Sequence, residues 1–126
     1  MGLFSKYCQL GIFLLMTGPV AMAADAVSAK QASTMQSKNK TIIVDVREDD
    51  EWNQGHIPGA IHIPLGQLST RLSELEPYKN SPIITQCRSG KRSAQAQLAL
   101  TSAGFSSVYS MDGGIQAWSK EGLVTE

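Results

Sequence analysis

The residues whose types and spacing could do chemistry are Cys87-Arg88-Ser89-Gly90-Lys91-Arg92, set between the apolar run Ile83-Ile84-Thr85-Gln86 and an alanine-rich run that starts at Ser93. A cysteine at the end of a strand, followed by a cationic loop and then a helix, is an arrangement that favours the thiolate, and the thiolate is a nucleophile. A free cysteine titrates at about 8.5, so bringing it to about 7 takes roughly 2 kcal/mol of preferential anion stabilisation. A helix beginning near Ser93 would turn unpaired N–H groups and a positive dipole end towards the loop, worth up to about 2 kcal/mol in a partly buried geometry. Arg88, Lys91 and Arg92 add positive charge, screened to the extent that the loop is wet. Gly90 can take the positive φ that lets a loop turn its N–H groups inward around an anion. The competing reading is a buried, inert cysteine acting as a small hydrophobe, with the cations on a solvated surface loop.

The elements that must position this loop can be read from pattern. Thr41-Ile42-Ile43-Val44-Asp45-Val46 is a continuous β-branched run, as expected of a strand buried on both faces of a parallel sheet. Before it, Asp25 to Lys40 is polar, with a short helix expected over Ala29 to Ser37. Glu48 to Asn53 reads as an acidic helix anchored in the core by Trp52 and stopped at Gln54-Gly55. A turn at His56 to Ala60 leads to a short strand at Ile61 to Ile63, which Pro64 ends. Leu65, Leu68, Leu72 and Leu75 recur at three- and four-residue spacing, one apolar helical face.

Ile83 to Gln86 is the strand that delivers the cysteine. After the loop, Ser93 to Ala103 reads as a helix with Ala94, Leu98 and Ala99 inward and Gly104 at its end. Ser107 to Ser110 is the next strand, Asp112-Gly113-Gly114 a turn, and Ile115 to Glu121 a last helix carrying Trp118. Strands alternating with helices argue an α/β domain with a parallel sheet, in which ligands bind beyond the carboxyl ends of the strands, where Cys87 falls.

Composition bounds the partners. The 126 residues allow one domain with a modest core, and 42% hydrophobic with 17% charged residues is the profile of a globular chain. The formal charge is zero, so no global field recruits nucleic acid or an anionic membrane surface. Residues 1–23 read as a signal peptide: Lys6 is the positive flank, Leu10 to Val20 the apolar stretch, and Ala21-Met22-Ala23 the small-x-small pattern before a cut. The expectation is an exported protein, periplasmic if the source is a Gram-negative bacterium, with no membrane anchor after cleavage. Cleavage after Ala23 removes Cys8 and leaves Cys87 as the one cysteine, so no internal disulfide can form in the oxidising compartment.

The chain resembles the rhodanese-like family through four pieces in order: Asp45-Val46-Arg47; Gly55-His56-Ile57-Pro58-Gly59-Ala60-Ile61-His62-Ile63-Pro64; the Cys87 to Arg92 loop; and Asp112-Gly113-Gly114-Ile115-Gln116-Ala117-Trp118. The resemblance covers about residues 40 to 121, and the domain is placed at residues 41–126, after a polar segment over residues 24–40. It implies a three-layer α/β/α domain around a mostly parallel sheet of four to five strands. The family's first strand would have to come from Ala26-Val27, short or missing. His56 and His62 fall in structural signatures of the family, as packing and hydrogen-bonding residues. Asp45 and Arg47 either shape the rim of the active site or brace the fold, Arg47 then pairing with an acid such as Glu51.

The family's chemistry, as the resemblance implies it, is sulfur transfer. Cys87 would take the outer sulfur of thiosulfate as a persulfide, release sulfite, and pass the sulfur to cyanide or a thiol. The loop residues Arg88, Ser89, Gly90, Lys91 and Arg92 would bind the anionic donor, with no metal or organic cofactor, in a monomer. Two other activities stay open. One is a non-enzymatic persulfide carrier for a partner protein. The other is a phosphatase or arsenate reductase, whose loops resemble Cys-x5-Arg; here only four residues separate Cys87 from Arg92, leaving less room for a tetrahedral oxyanion.

Overall fold

In the computed structural model residues 25–126 are described; the leader-like stretch, the cut expected after Ala23 and Cys8 lie outside them. Five strands form one parallel sheet in the order β1-β5-β4-β2-β3: β1 Ala26–Val27, β2 Ile42–Asp45, β3 Ile61–His62, β4 Ile83–Gln86 and β5 Val108–Met111. The helices are α1 Ala29–Asn39, α2 Asp49–Gln54, α3 Lys91–Ser102 and α4 Gly114–Lys120, with 3-10 helices over Leu65–Thr70 and Leu72–Tyr78. Among the described residues no helix is long and apolar enough to cross a membrane.

The β-branched run does what its composition requires. Ile43 and Ile84 are buried on one face of the sheet with Ala32, Met111 and Trp118, against α1 and α4. Their neighbours Val44 and Ile83 are buried on the other face with Ala96, Leu100, Leu68 and Leu75, against α3 and the 3-10 helices. Adjacent residues of a strand point to opposite faces, so a central strand needs apolar side chains at successive positions. The result is three layers, helix, sheet and helix. The first strand is present and only two residues long; Ala26 and Val27 pair with Ser110 and Met111.

Four expectations are corrected. Helix α3 begins at Lys91, not Ser93, because Gly90 at φ +116° serves as its N-cap. Its buried stripe is Ser93, Ala96 and Leu100, whereas Ala94, Leu98 and Ala99 are exposed, Leu98 at 68%. Small side chains at 93 and 96 let the helix lie close to the sheet, where the buried Thr85 hydroxyl donates to the Ser93 carbonyl at 2.8 Å. Trp52 is half-buried, and α2 buries none of its residues. Its indole stacks instead on the rings of His56 and His62, at centroid distances of 3.6 and 4.7 Å. Lastly, the Leu65 to Leu75 stripe runs along two 3-10 helices joined at Arg71, not one α-helix, with Leu68 and Leu75 fully inside.

The two histidines pack and hydrogen-bond. His56 Nδ1 lies 3.1 Å from the Trp52 carbonyl oxygen, and His62 Nε2 lies 2.8 Å from that of Arg47.

Candidate active site at the Cys87 loop

Cys87 follows the last residue of β4, and its side chain is 1% exposed. The chain then bends through Arg88, Ser89 and Gly90 into α3, so the thiol sits at the N-terminal end of a twelve-residue helix. The Gly90 N–H donates to Cys87 Sγ at 3.1 Å. Gly90's positive φ is what aims that N–H inward; a side chain there would also come within 3.4 Å of the Gly113 nitrogen.

Burial pushes the thiol up, as it does any group that ionises to an anion. The Ser93 N–H, the Gly90 N–H, the Ser93 hydroxyl and the Ser89 N–H oppose it and outweigh it, so Cys87 titrates below its ordinary value. The groups that hold the anion are therefore mainly backbone N–H groups of the loop and first helical turn. Ser93 was absent from the loop as the sequence delimited it. Its hydroxyl lies 3.0 Å from the Gly90 carbonyl oxygen and 2.9 Å from the Ser110 hydroxyl, which fixes it under the loop. A serine opening a helix was its only sequence signal.

The three cations do not act alike. Arg88 and Lys91 are exposed, and neither makes an ion pair among the described residues. Arg92 is bidentate on Glu51, with Nη1 to Oε1 at 2.6 Å and Nη2 to Oε2 at 2.9 Å. The Arg92 hydrogen bonds hold Glu51 down at about 2, against the opposing effect of burial, with help from the Glu48 N–H and the charges of Arg92 and Arg47. Glu51 in turn holds Arg92 above its ordinary value. Forty residues lie between these partners, so no local spacing could have paired them.

The expected Arg47 to Glu51 ion pair is therefore corrected. The Arg47 guanidinium grips Asp45, with Nε within 3.0 and 3.1 Å of the two carboxylate oxygens and Nη2 at 2.7 Å. Its Nη1 reaches only the backbone carbonyl of Glu51, at 3.2 Å, and Nη2 also donates to the Gly55 carbonyl at 2.9 Å. Asp45 is fully buried and Arg47 5% exposed, so the pair braces the end of β2.

The glycines after β5 have a specific task. The N–H of Ile115 donates to the Cys87 carbonyl at 2.8 Å, and that of Gln116 to the Arg88 carbonyl at 3.2 Å. The buried Gln86 side-chain amide also donates to the Cys87 carbonyl. For α4 to reach so close, position 114 can carry no side chain: a Cβ there would collide with the Cys87 carbonyl oxygen and lie 2.5 Å from the Arg88 carbonyl carbon and oxygen. The Gly-Gly pair thus clasps the cysteine loop from behind. Among the described residues no group of three His, Cys, Asp or Glu side chains comes together as a metal site.

Comparison with known proteins agrees with this geometry. The Rhodanese-like domain family profile matches residues 28–121. The uncharacterized protein YibN of Escherichia coli K12 is 31% identical over 98 residues, covering 77% of this chain and 68% of that protein. The solution structure of a rhodanese-like domain from Anabaena sp. superposes with a TM-score of 0.74 at 30% identity, covering 82% of this chain and 79% of that one. A thiosulfate sulfurtransferase from Pseudomonas aeruginosa superposes with a TM-score of 0.72 at 25% identity, over 82% of this chain and 19% of that longer one.

Proposed function

The chain belongs to the rhodanese-like domain family, and from that premise we propose that it is a sulfurtransferase that carries the outer sulfur of thiosulfate as a Cys87 persulfide and delivers it to cyanide or a thiol. The observation that carries the reading is the thiol itself, lowered in pKa by N–H donors at the start of α3 while almost fully buried. A thiol whose anion is favoured in this way is a better nucleophile than a free cysteine, yet it is reachable only by a small, protruding atom, and the terminal sulfur of thiosulfate is one.

In the first half-reaction Sγ attacks the terminal sulfur, a new S–S bond forms, and the bond to the sulfonate sulfur breaks with its electron pair leaving on sulfite. Arg88 and Lys91 attract the dianion to the loop mouth. The loop N–H groups that favour the thiolate then receive the persulfide. Because Arg92 is held by Glu51, its charge acts on the donor less than those of Arg88 and Lys91. Chemistry in an oxidising compartment, the expectation from residues 1–23, is part of this proposal.

Intact-mass measurement before and after thiosulfate tests it. The expected result is a gain of one sulfur atom that cyanide removes as thiocyanate, and no gain in Cys87→Ser at unchanged circular dichroism. A protein that stays at its original mass, or a C87S variant that still makes thiocyanate, would refute the reading.

A further inference from the structure

Beside the cysteine loop lies a cleft of about 390 Å³, walled by α2, by Arg88 of the loop and by the first turn of α4. It adjoins the backbone of the cysteine loop, since the lining residues Ile115 and Gln116 are those whose N–H groups hold the Cys87 and Arg88 carbonyls. Four charged side chains face the cleft: Arg47, Asp50, Glu51 and Arg88. Arg47 is committed to Asp45 and Glu51 to Arg92. Asp50 and Arg88 are exposed and make no ion pair among the described residues. The cleft therefore offers one open anion and one open cation within a volume towards the lower end of the roughly 300 to 1,000 Å³ typical of small-molecule sites.

We propose that this cleft is the acceptor subsite, and that it selects a small thiol bearing both an ammonium and a carboxylate, with Asp50 taking the ammonium and Arg88 the carboxylate. The inference rests on the sulfurtransferase reading of Cys87. A guanidinium fork matches a carboxylate in plane and a lysine would not, which suits Arg88 to this partner. A thiol with a single charge leaves either Asp50 or Arg88 without a partner, so discrimination arises from both ends of the ligand.

The step balances without a further reagent. The acceptor, as its thiolate, attacks the outer sulfur of the Cys87 persulfide in its S–SH form. An S–S bond forms to the acceptor, the bond to Sγ breaks with its electron pair on Sγ, and the products are the acceptor persulfide, R–S–SH, and the Cys87 thiolate.

The test uses the chain carrying Cys8→Ser, so that Cys87 is its one thiol, loaded with inorganic polysulfide so that the persulfide does not depend on thiosulfate. Its loss is followed by quenched intact mass with cysteine, cysteamine and 3-mercaptopropionate. Comparing each variant with wild type cancels the intrinsic reactivity of each thiol. Asp50→Asn should lower the discharge-rate ratio of cysteamine to 3-mercaptopropionate about threefold to fivefold, Arg88→Gln should move it the other way by a similar factor, and cysteine should slow in both. In unloaded protein, the unreactive S-methylcysteine should shift the amide resonances of Ile115 and Gln116 at lower concentration than propionate or methylamine does. Ratios that match wild type in both variants, or equal titration midpoints for the three probes, would overturn the subsite. Failure of thiosulfate to load Cys87 would instead strike the donor reading, with the discharge ratios still deciding the acceptor.

Discussion

Two clusters of charge stand side by side at the carboxyl end of the sheet, since Asp45 and Gln86 are register partners on adjacent strands. After β2 comes the Asp45–Arg47 pair, buried and closed on itself, with the guanidinium shared between one carboxylate and two backbone carbonyls. After β4 comes the Cys87 loop, where N–H groups converge on a single sulfur and two cations remain open to an incoming anion. Both contain arginine, and both follow a β-branched strand. What separates them is commitment: a charge whose partners are already in the fold stabilises structure, and one whose partners are missing is available to a ligand. Glu51 joins the two, accepting from Arg47 at its backbone carbonyl and from Arg92 at its carboxylate.

Breaking the closed cluster should have the largest effect. Asp45→Asn leaves the Arg47 guanidinium buried without its counter-charge, and a loss of about 3 kcal/mol is expected in urea unfolding. A loss below about 1 kcal/mol, the range of surface pairs, would mean that Arg47 is not a brace.

Breaking the open cluster should disturb chemistry as well as stability. Gly114→Ala forces a Cβ into the Cys87 and Arg88 carbonyls at a position with φ +55°, so about 2 kcal/mol of destabilisation is expected together with slower thiosulfate loading. Wild-type loading kinetics in this variant would show that the clasp behind the loop does not position the thiol.

The link between the clusters should matter least. Glu51→Gln removes a partly exposed ion pair and should cost about 1 kcal/mol. The sign of the pH effect follows from Glu51 lying at about 2 in the folded chain against 4.5 as the ordinary value. Its contribution is full above 4.5 and is lost as the pH falls towards 2, because protonation is easier in the unfolded chain. Stability measured from pH 6 down to 2.5 should therefore decline more steeply in wild type than in E51Q, and parallel curves would place the stabilisation elsewhere.

Much of this was legible in residue order, because the signals are local. Central strands need apolar side chains on both faces, so Ile42 to Val46 and Ile83 to Ile84 announce themselves. The thiol, its cationic neighbours and the glycine that turns the loop are consecutive in the chain. The phase of α3 was not legible: Ala94, Leu98 and Ala99 make as plausible an apolar stripe as Ser93, Ala96 and Leu100. The choice fell to Gly90 as N-cap and to the buried hydroxyls of Thr85 and Ser110, which favour a serine at the sheet. Trp52 was not legible either, since a large aromatic residue on a short acidic helix reads as a core anchor, and its cover is two histidine rings from outside that helix.

By itself the sequence determined the strand and helix alternation, the place of the nucleophile at a strand end and the family's motifs, all properties of neighbouring residues. Tertiary structure decided which charges are open. Arg92 is taken by Glu51, Arg47 by Asp45, and Arg88 shares a cleft with Asp50. Pairings between distant residues depend on where the layers bring α2, α4 and the loop together, and side-chain reach across that gap has no periodicity in the chain.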